Sequence, residues 1–147
     1  MLKGIPGVIH AELLHVLASM GHGDELVIAD ANFPAARDAK RLIRTSGIST
    51  SDLAAAILTL VPLDEYVEAP LGLMKPERPQ DRNAPALKEL RAALAKIAPG
   101  VKIEDIPRSE FYPRARNAFA IVATSDMRPY ANVLLKMGVI AGRADGR

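Results

Sequence analysis

The chain contains no cysteine and no tryptophan, and its 147 residues include only three Phe and three Tyr. The first absence excludes disulfides, thiolate nucleophiles and cysteine-ligated zinc. The shortage of aromatics leaves a core to be built from Leu, Ile, Val and Ala. No apolar run approaches the ~20 residues that span a bilayer, and no charged-then-apolar leader opens the chain. A soluble cytoplasmic protein is therefore expected. A strong charge of one sign is missing too: nineteen basic residues oppose seventeen acidic ones, for a net charge of +2. Arg37, Lys40, Arg41 and Arg44 cluster, but Asp38 interrupts them, and Arg143 and Arg147 fall in a Gly/Ala-rich tail. The single basic face that nucleic acid requires is absent, so neither nucleic acid nor membrane is an expected partner. His10 and His15 lie five residues apart, about 140° around a helix, and do not form the i, i+4 pair of a metal site. No glycine-rich dinucleotide loop is present either. Neither a metal nor an organic cofactor is expected.

What is present suits one domain. Hydrophobic residues make up 49% of the chain, and a chain of ~150 residues buries roughly 70% of its unfolded surface. Leu13, Leu14, Leu17 and Ala18 follow a helical period that stops at Gly21. A short apolar strand at 26–29 follows, then a helical stretch after Pro34 and a strand near Leu42 and Ile43. Ser49-Thr50-Ser51 offers N-cap chemistry for a helix over 52–60. A strand is expected at 69–74, then a proline-rich link at 75–85 that reads as a surface excursion. Leu87, Leu90, Leu94 and Ile97 line one face of an amphipathic helix over 85–97, which Pro99-Gly100 stops. Strands at 101–106, 119–124 and 133–136 follow, with a short helix around 112–117 among them. This alternation predicts an α/β layered domain over residues 1–140, with 141–147 as a tail.

One block stands apart. In Met20-Gly21-His22-Gly23-Asp24-Glu25 a histidine sits between two glycines that permit positive φ. The strand that follows ends on Asp30, within Asp30-Ala31-Asn32-Phe33-Pro34. Open α/β sheets gather ligand groups at such strand ends. The expectation is that imidazole and carboxylate face a single pocket. Taken alone, each residue keeps a second reading. His22 also suits a helix C-cap, Asp30 an N-cap, Arg108 a surface charge and Tyr130 a packing seam. Asp64-Glu65, following Pro62, reads as a solvated turn.

Several blocks together carry a resemblance over nearly the whole chain. Met1-Leu2-Lys3-Gly4-Ile5-Pro6, Glu12-Leu13-Leu14, the Gly-His-Gly-Asp block and Ala29–Ala35 occur in order. Toward the other end come Phe111-Tyr112, Arg114-Ala115, Ala118–Thr124, Tyr130-Ala131-Asn132 and Leu135–Val139. The sequence resembles the RbsD/FucU family of ribose pyranases and fucose mutarotases. That resemblance implies a three-layer α/β/α fold around a central sheet and a cofactor-free isomerase acting on a free monosaccharide. It also implies a homodecamer of two pentamers with sites at subunit contacts. It assigns acid/base work to His22 and sugar binding to Asp30, Arg108, Tyr130, Ala131 and Asn132. Arg108, where the ribose branch carries histidine, favours the L-fucose branch, with D-ribose pyranase and a non-catalytic sugar-binding module as alternatives. Two departures are Pro113, in place of the family's Glu, and Ala131, where fucose members often carry Gly. Pro113 is expected to lie in a first helical turn, where its missing N–H costs nothing.

The chemistry is consistent with these residues. Opening a pyranose ring removes a proton from the anomeric hydroxyl and delivers one to the ring oxygen. A histidine does this well near neutral pH. No nucleophile or redox centre is needed.

Overall fold

The computed structural model describes residues 2–142, so the expected tail 141–147 lies, from Arg143 on, outside the described residues. Six strands form one sheet in the order β2-β5-β1-β6-β3-β4. They are β1 (Glu25–Ala29), β2 (Leu42–Arg44), β3 (Leu71–Lys75), β4 (Ile103–Pro107), β5 (Ala120–Ala123) and β6 (Val133–Lys136). Strand β1 runs parallel to β5, β5 to β2, and β3 to β4, whereas β6 runs antiparallel to both β1 and β3. The carboxyl ends of five strands therefore share one edge of the sheet with the amino end of β6.

Both faces of the sheet are covered, which explains why its central strands read as near-continuous apolar runs. Leu26 and Ile28 of β1, Val122 of β5 and Val133 and Leu135 of β6 point to one side. There they meet α1 (Ala11–Ser19), α3 (Thr50–Leu58) and α4 (Pro85–Ile97). The alternate residues Val27, Ala29, Ile121 and Leu134 face the other side, against α2 (Ala35–Asp38) and α5 (Arg108–Asn117). The result is the expected three-layer α/β/α arrangement.

Local chemistry sets the helix starts. His10 caps α1: its Nδ1 accepts the N–H of Leu13 at 3.4 Å and its Nε2 lies 3.2 Å from the Arg44 carbonyl. Ser49 caps α3 by accepting the Asp52 N–H at 3.1 Å, so the helix begins two residues earlier than the apolar pattern suggested. Helix α5 departs further from expectation. It starts at Arg108, which puts Pro113 inside the helix rather than in its first turn. An interior proline costs about 3 kcal/mol or more through a lost hydrogen bond and a ring clash. Tertiary packing overrides that cost. Phe111 and Ala115 are fully buried, and burial of a side chain such as Phe contributes about 1.5–3 kcal/mol. Arg114 further anchors the helix, donating to Glu25 at 2.8 Å and to Glu104 at 3.0 Å.

A close approach at the far edge brings two segments together. The Gly138 N–H donates to the Pro62 carbonyl at 2.8 Å, and Asp64 N–H donates to the Lys136 carbonyl at 3.1 Å. A Cβ on Gly138 would stand 2.4 Å from the Leu63 carbonyl oxygen, which is backbone and cannot swing aside. Gly138→Ala is expected to destabilise the fold by about 1–3 kcal/mol, the typical cost of overpacking. Gly7→Ala, with open space around it, should stay within about 0.5 kcal/mol. Equal urea midpoints for the two variants would contradict this account.

Candidate functional site

At the carboxyl edge, the ends of β1, β3 and β4 and the approach to β6 enclose a cavity of about 430 Å³. Asp30, Arg108, Tyr130 and Asn132 all line it, drawn from three separate segments. Asp30 and Asn132 form its floor. The Asp30 N–H donates to Asn132 Oδ1 at 2.9 Å, and Asn132 Nδ2 donates back to Asp30 Oδ2 at 2.9 Å. The other carboxylate oxygen accepts the Asn32 N–H at 2.9 Å. Asp30 is thus a hydrogen-bonded wall of the cavity and not the cap of α2, whose N-cap is Pro34. Burial pushes the Asp30 carboxyl above the usual carboxylate range, and these hydrogen bonds pull it back only in part.

Arg108 opens α5 directly after β4 and is half exposed, its guanidinium 5.3 Å from the centre of the Tyr112 ring. That ring stacks on Phe33, centroids 5.3 Å apart, so one aromatic pair supports the cavity wall. Tyr130 has φ of +63°, the left-handed region that a non-glycine residue enters only when its surroundings hold it there. Ala131 does not share that conformation, so alanine is accommodated where glycine is often found. Ala131, expected among the binding residues, is fully buried between Tyr130 and Asn132 and is not part of the cavity lining. The loop that presents these residues is pinned at Asp126. Its carboxylate accepts from the Thr50 N–H at 3.1 Å and from Arg128 at 2.9 and 2.8 Å, and Arg128 lowers its pKa to about 2.

His22 lies elsewhere. It precedes β1, whereas Asp30 follows it, and a five-residue strand rises about 16 Å. The expected single pocket for the two residues is therefore not formed within this chain. At the opposite edge His22 Nε2 lies 3.2 Å from Asp64 Oδ1, with the Tyr66 ring centre 5.4 Å away. Of the two flanking glycines only Gly23 takes positive φ, at +84°. Its N–H donates to the Met137 carbonyl, while Gly21 donates to Asp24 Oδ2. The cap of α1 is Met20, so His22 is not a helix cap.

Asp64 corrects the solvated-turn expectation: only 3% of it is exposed. Its Oδ1 also accepts the Tyr66 N–H at 3.0 Å, the main cause holding its carboxyl below the usual range. An ionised carboxylate only accepts, so Nε2 of a neutral His22 carries the hydrogen and Nδ1 keeps an open lone pair. An Asp two residues ahead of the N–H it caps was visible as an Asx-turn pattern. Nothing local, however, indicated burial or the 42-residue reach to His22. The link at 75–85 is mostly exposed, as expected of a surface excursion, and Glu77 and Arg78 within it also line the cavity.

A larger cavity, about 750 Å³, lies across residues 31–37 and is lined by neither histidine nor carboxylate. No group of three or more His, Cys, Asp or Glu suited to a metal ion occurs among the described residues. None of the described helices is long and apolar enough to cross a membrane.

A model of the RbsD / FucU transport protein family matches residues 3–140. The L-fucose mutarotase of Actinobacillus pleuropneumoniae serotype 5b (strain L20) is 45% identical over 141 residues, covering 95% of this chain and 97% of that protein. Among solved structures, the fucose mutarotase of Streptococcus pneumoniae in complex with L-fucose superposes with a TM-score of 0.87 at 40% identity, over 95% of this chain and all of the other. Bacillus subtilis RbsD complexed with D-ribose superposes less closely, with a TM-score of 0.75 at 26% identity, over 96% of this chain and 100% of that one.

The Asp30–Asn132 pair generates a reciprocal test. Asp30→Asn alone turns two amide groups toward each other and should cost about 1–3 kcal/mol for the unsatisfied donors. Adding Asn132→Asp restores every donor to an acceptor, and most of the loss should be recovered in urea unfolding at pH 7. A double variant no more stable than the single one would refute the assigned amide orientation.

Proposed function

The chain belongs to the RbsD / FucU family, and from that premise we propose that it is an L-fucose mutarotase, an isomerase interconverting the α and β anomers of the free sugar. The observation that carries this reading is the convergence of Asp30, Arg108, Tyr130 and Asn132 on one cavity. The fold around it matches that of a fucose mutarotase in complex with L-fucose. Residues 1–140 act as one mutarotase domain, with 141–147 appended, in the cytoplasm.

Each cavity group has a binding task. Asp30 and Asn132 grip sugar hydroxyls, Arg108 presents up to five fixed donors, and Tyr130 offers an apolar face beside its hydroxyl. Ala131 keeps Tyr130 and Asn132 in register. None of these groups is a good base near neutral pH. The guanidinium stays protonated, burial and Asp81 raise the Tyr130 phenol further, and the Asp30 oxygens are already engaged. The cavity lining contains no histidine.

The partner subunit's His22 supplies the missing base in a homo-oligomer, for which the family resemblance indicates ten subunits. Its edge carries exposed Tyr66, Val139 and Ile140, an apolar surface that requires cover. With Nε2–H directed to Asp64, Nδ1 takes the proton from the anomeric hydroxyl. The anomeric carbon becomes a carbonyl as its bond to the ring oxygen breaks, and that oxygen takes up a proton. Reclosure on the other face of the carbonyl gives the other anomer. Atoms balance without metal, nucleophile or redox partner.

Exchange NMR on free sugars tests the reading. Anomer exchange on L-fucose is expected. Ring-size exchange on D-ribose that outpaces it, or binding without exchange, would replace the assignment. His22→Ala should fold normally and slow exchange by about 10²-fold or more, the usual contribution of a general acid/base. Parental rates in that variant would remove His22 from the chemistry. Exhaustive EDTA treatment should leave activity intact; loss on chelation with recovery on one divalent ion would overturn the cofactor-free mechanism.

A further inference from the structure

The segment that follows β3 runs along the surface at the rim of the cavity. After Glu77 and Arg78 it makes a 3-10 turn at Pro79–Asn83. From this turn Asp81 reaches back to the cavity wall. One oxygen, Oδ2, accepts both the Tyr130 hydroxyl at 3.1 Å and Arg78 Nε at 2.7 Å. The side chain of Asp81 is only 18% exposed, while that of Arg78 is 69% exposed. The carboxylate is therefore turned inward, toward the phenol.

This contact matters because of the conformation of Tyr130. A left-handed non-glycine residue persists only where its surroundings hold it, so contacts to the Tyr130 side chain help to fix this segment. The carboxylate of Asp81 makes such a contact at the phenol end. It also sets the polarity that the phenol shows the cavity. A hydroxyl has one proton, and here the proton is committed to an ionised carboxylate that can only accept. Arg78 keeps that carboxylate ionised, below the usual range. Toward a ligand the phenol oxygen then offers lone pairs alone.

We propose that Asp81, clamped by Arg78, is the positioning residue for Tyr130, fixing its oxygen as a hydrogen-bond acceptor for one hydroxyl of the bound sugar. The inference rests on the reading of this cavity as the sugar site. It assigns to the 3-10 turn a share of substrate affinity and no share of proton transfer.

The test has one arm without sugar and one with it. Asp81→Ala should lower the Tyr130 phenol pKa, read by ultraviolet titration against Tyr130→Phe, since the chain has only two other tyrosines. In exchange NMR on L-fucose, Asp81→Ala should raise the half-saturating concentration about tenfold, as loss of one charge-assisted hydrogen bond does. The limiting rate should change by less than about twofold, because uniform binding alone is lost. Asp81→Ala should add nothing in the Tyr130→Phe background, and Asp81→Glu should restore part of the affinity. An unmoved phenol titration, or an undiminished effect of Asp81→Ala in the Phe background, would overturn the proposal. If the phenol titration shifts but the parent neither binds nor exchanges L-fucose, the mutarotase reading falls, and with it the substrate role of Asp81.

Discussion

The antiparallel insertion of β6 between β1 and β3 is the constraint on which the rest of the molecule depends. Five strands run one way, and among the polar groups of the cavity their carboxyl ends supply Asp30, Glu77, Arg78 and Arg108 at one edge. Because β6 runs against them, its beginning delivers Tyr130 and Asn132 to that same edge. The backbone ladder between β1 and β6 is extended one step by side chains, as Asp30 and Asn132 exchange two hydrogen bonds at its end. The other end of the same strand, at Met137 and Gly138, meets the turns that carry His22 and Asp64. One strand direction thus determines the composition of both edges.

The two edges differ in chemistry. The cavity edge holds carboxylate, amide, guanidinium and phenol groups, while the far edge holds an imidazole with a buried carboxylate behind it. On the proposed reading, binding and proton transfer sit on different edges, and the activity belongs to an assembly rather than to one chain. That reading also explains the exposed Tyr66, Val139 and Ile140 beside a half-exposed histidine. A contact between the unlike edges of two copies is heterologous, and such contacts close into rings when the rotation permits.

Much of this was legible from local patterns. The helix over Pro85–Ile97 has the expected bounds and buries Leu87, Leu90 and Leu94 as its period requires, because a long periodic segment carries its own evidence; only Ile97, in the last turn, is exposed instead of buried. The strands buried on both sides, Glu25–Ala29 and Ala120–Ala123, were equally clear as apolar runs. Where the reading fell short, a distant partner had decided the outcome. Pro113 sits inside a helix because Phe111 and Ala115 are held by the sheet. Asp64 is buried because Gly138, lacking a side chain, lets the 62–64 turn close against it. The 75–85 link is external, as its polar residues suggest, yet Asp81 within it turns inward to a phenol 49 residues away.

By itself the sequence determined the layer class, the order and extent of most elements, the apolar composition of the core and the identity of the residues to examine. These follow from periodicity, capping and turn chemistry, which act over a few neighbouring residues. Only the tertiary structure decided which of those residues meet. Strand order and direction are settled by packing between segments tens of residues apart, and no local pattern records them. That is why His22 and Asp30, eight positions apart in the chain, stand at opposite edges of the sheet. Asp30 and Asn132, separated by 102 positions, share two hydrogen bonds because β6 runs against β1.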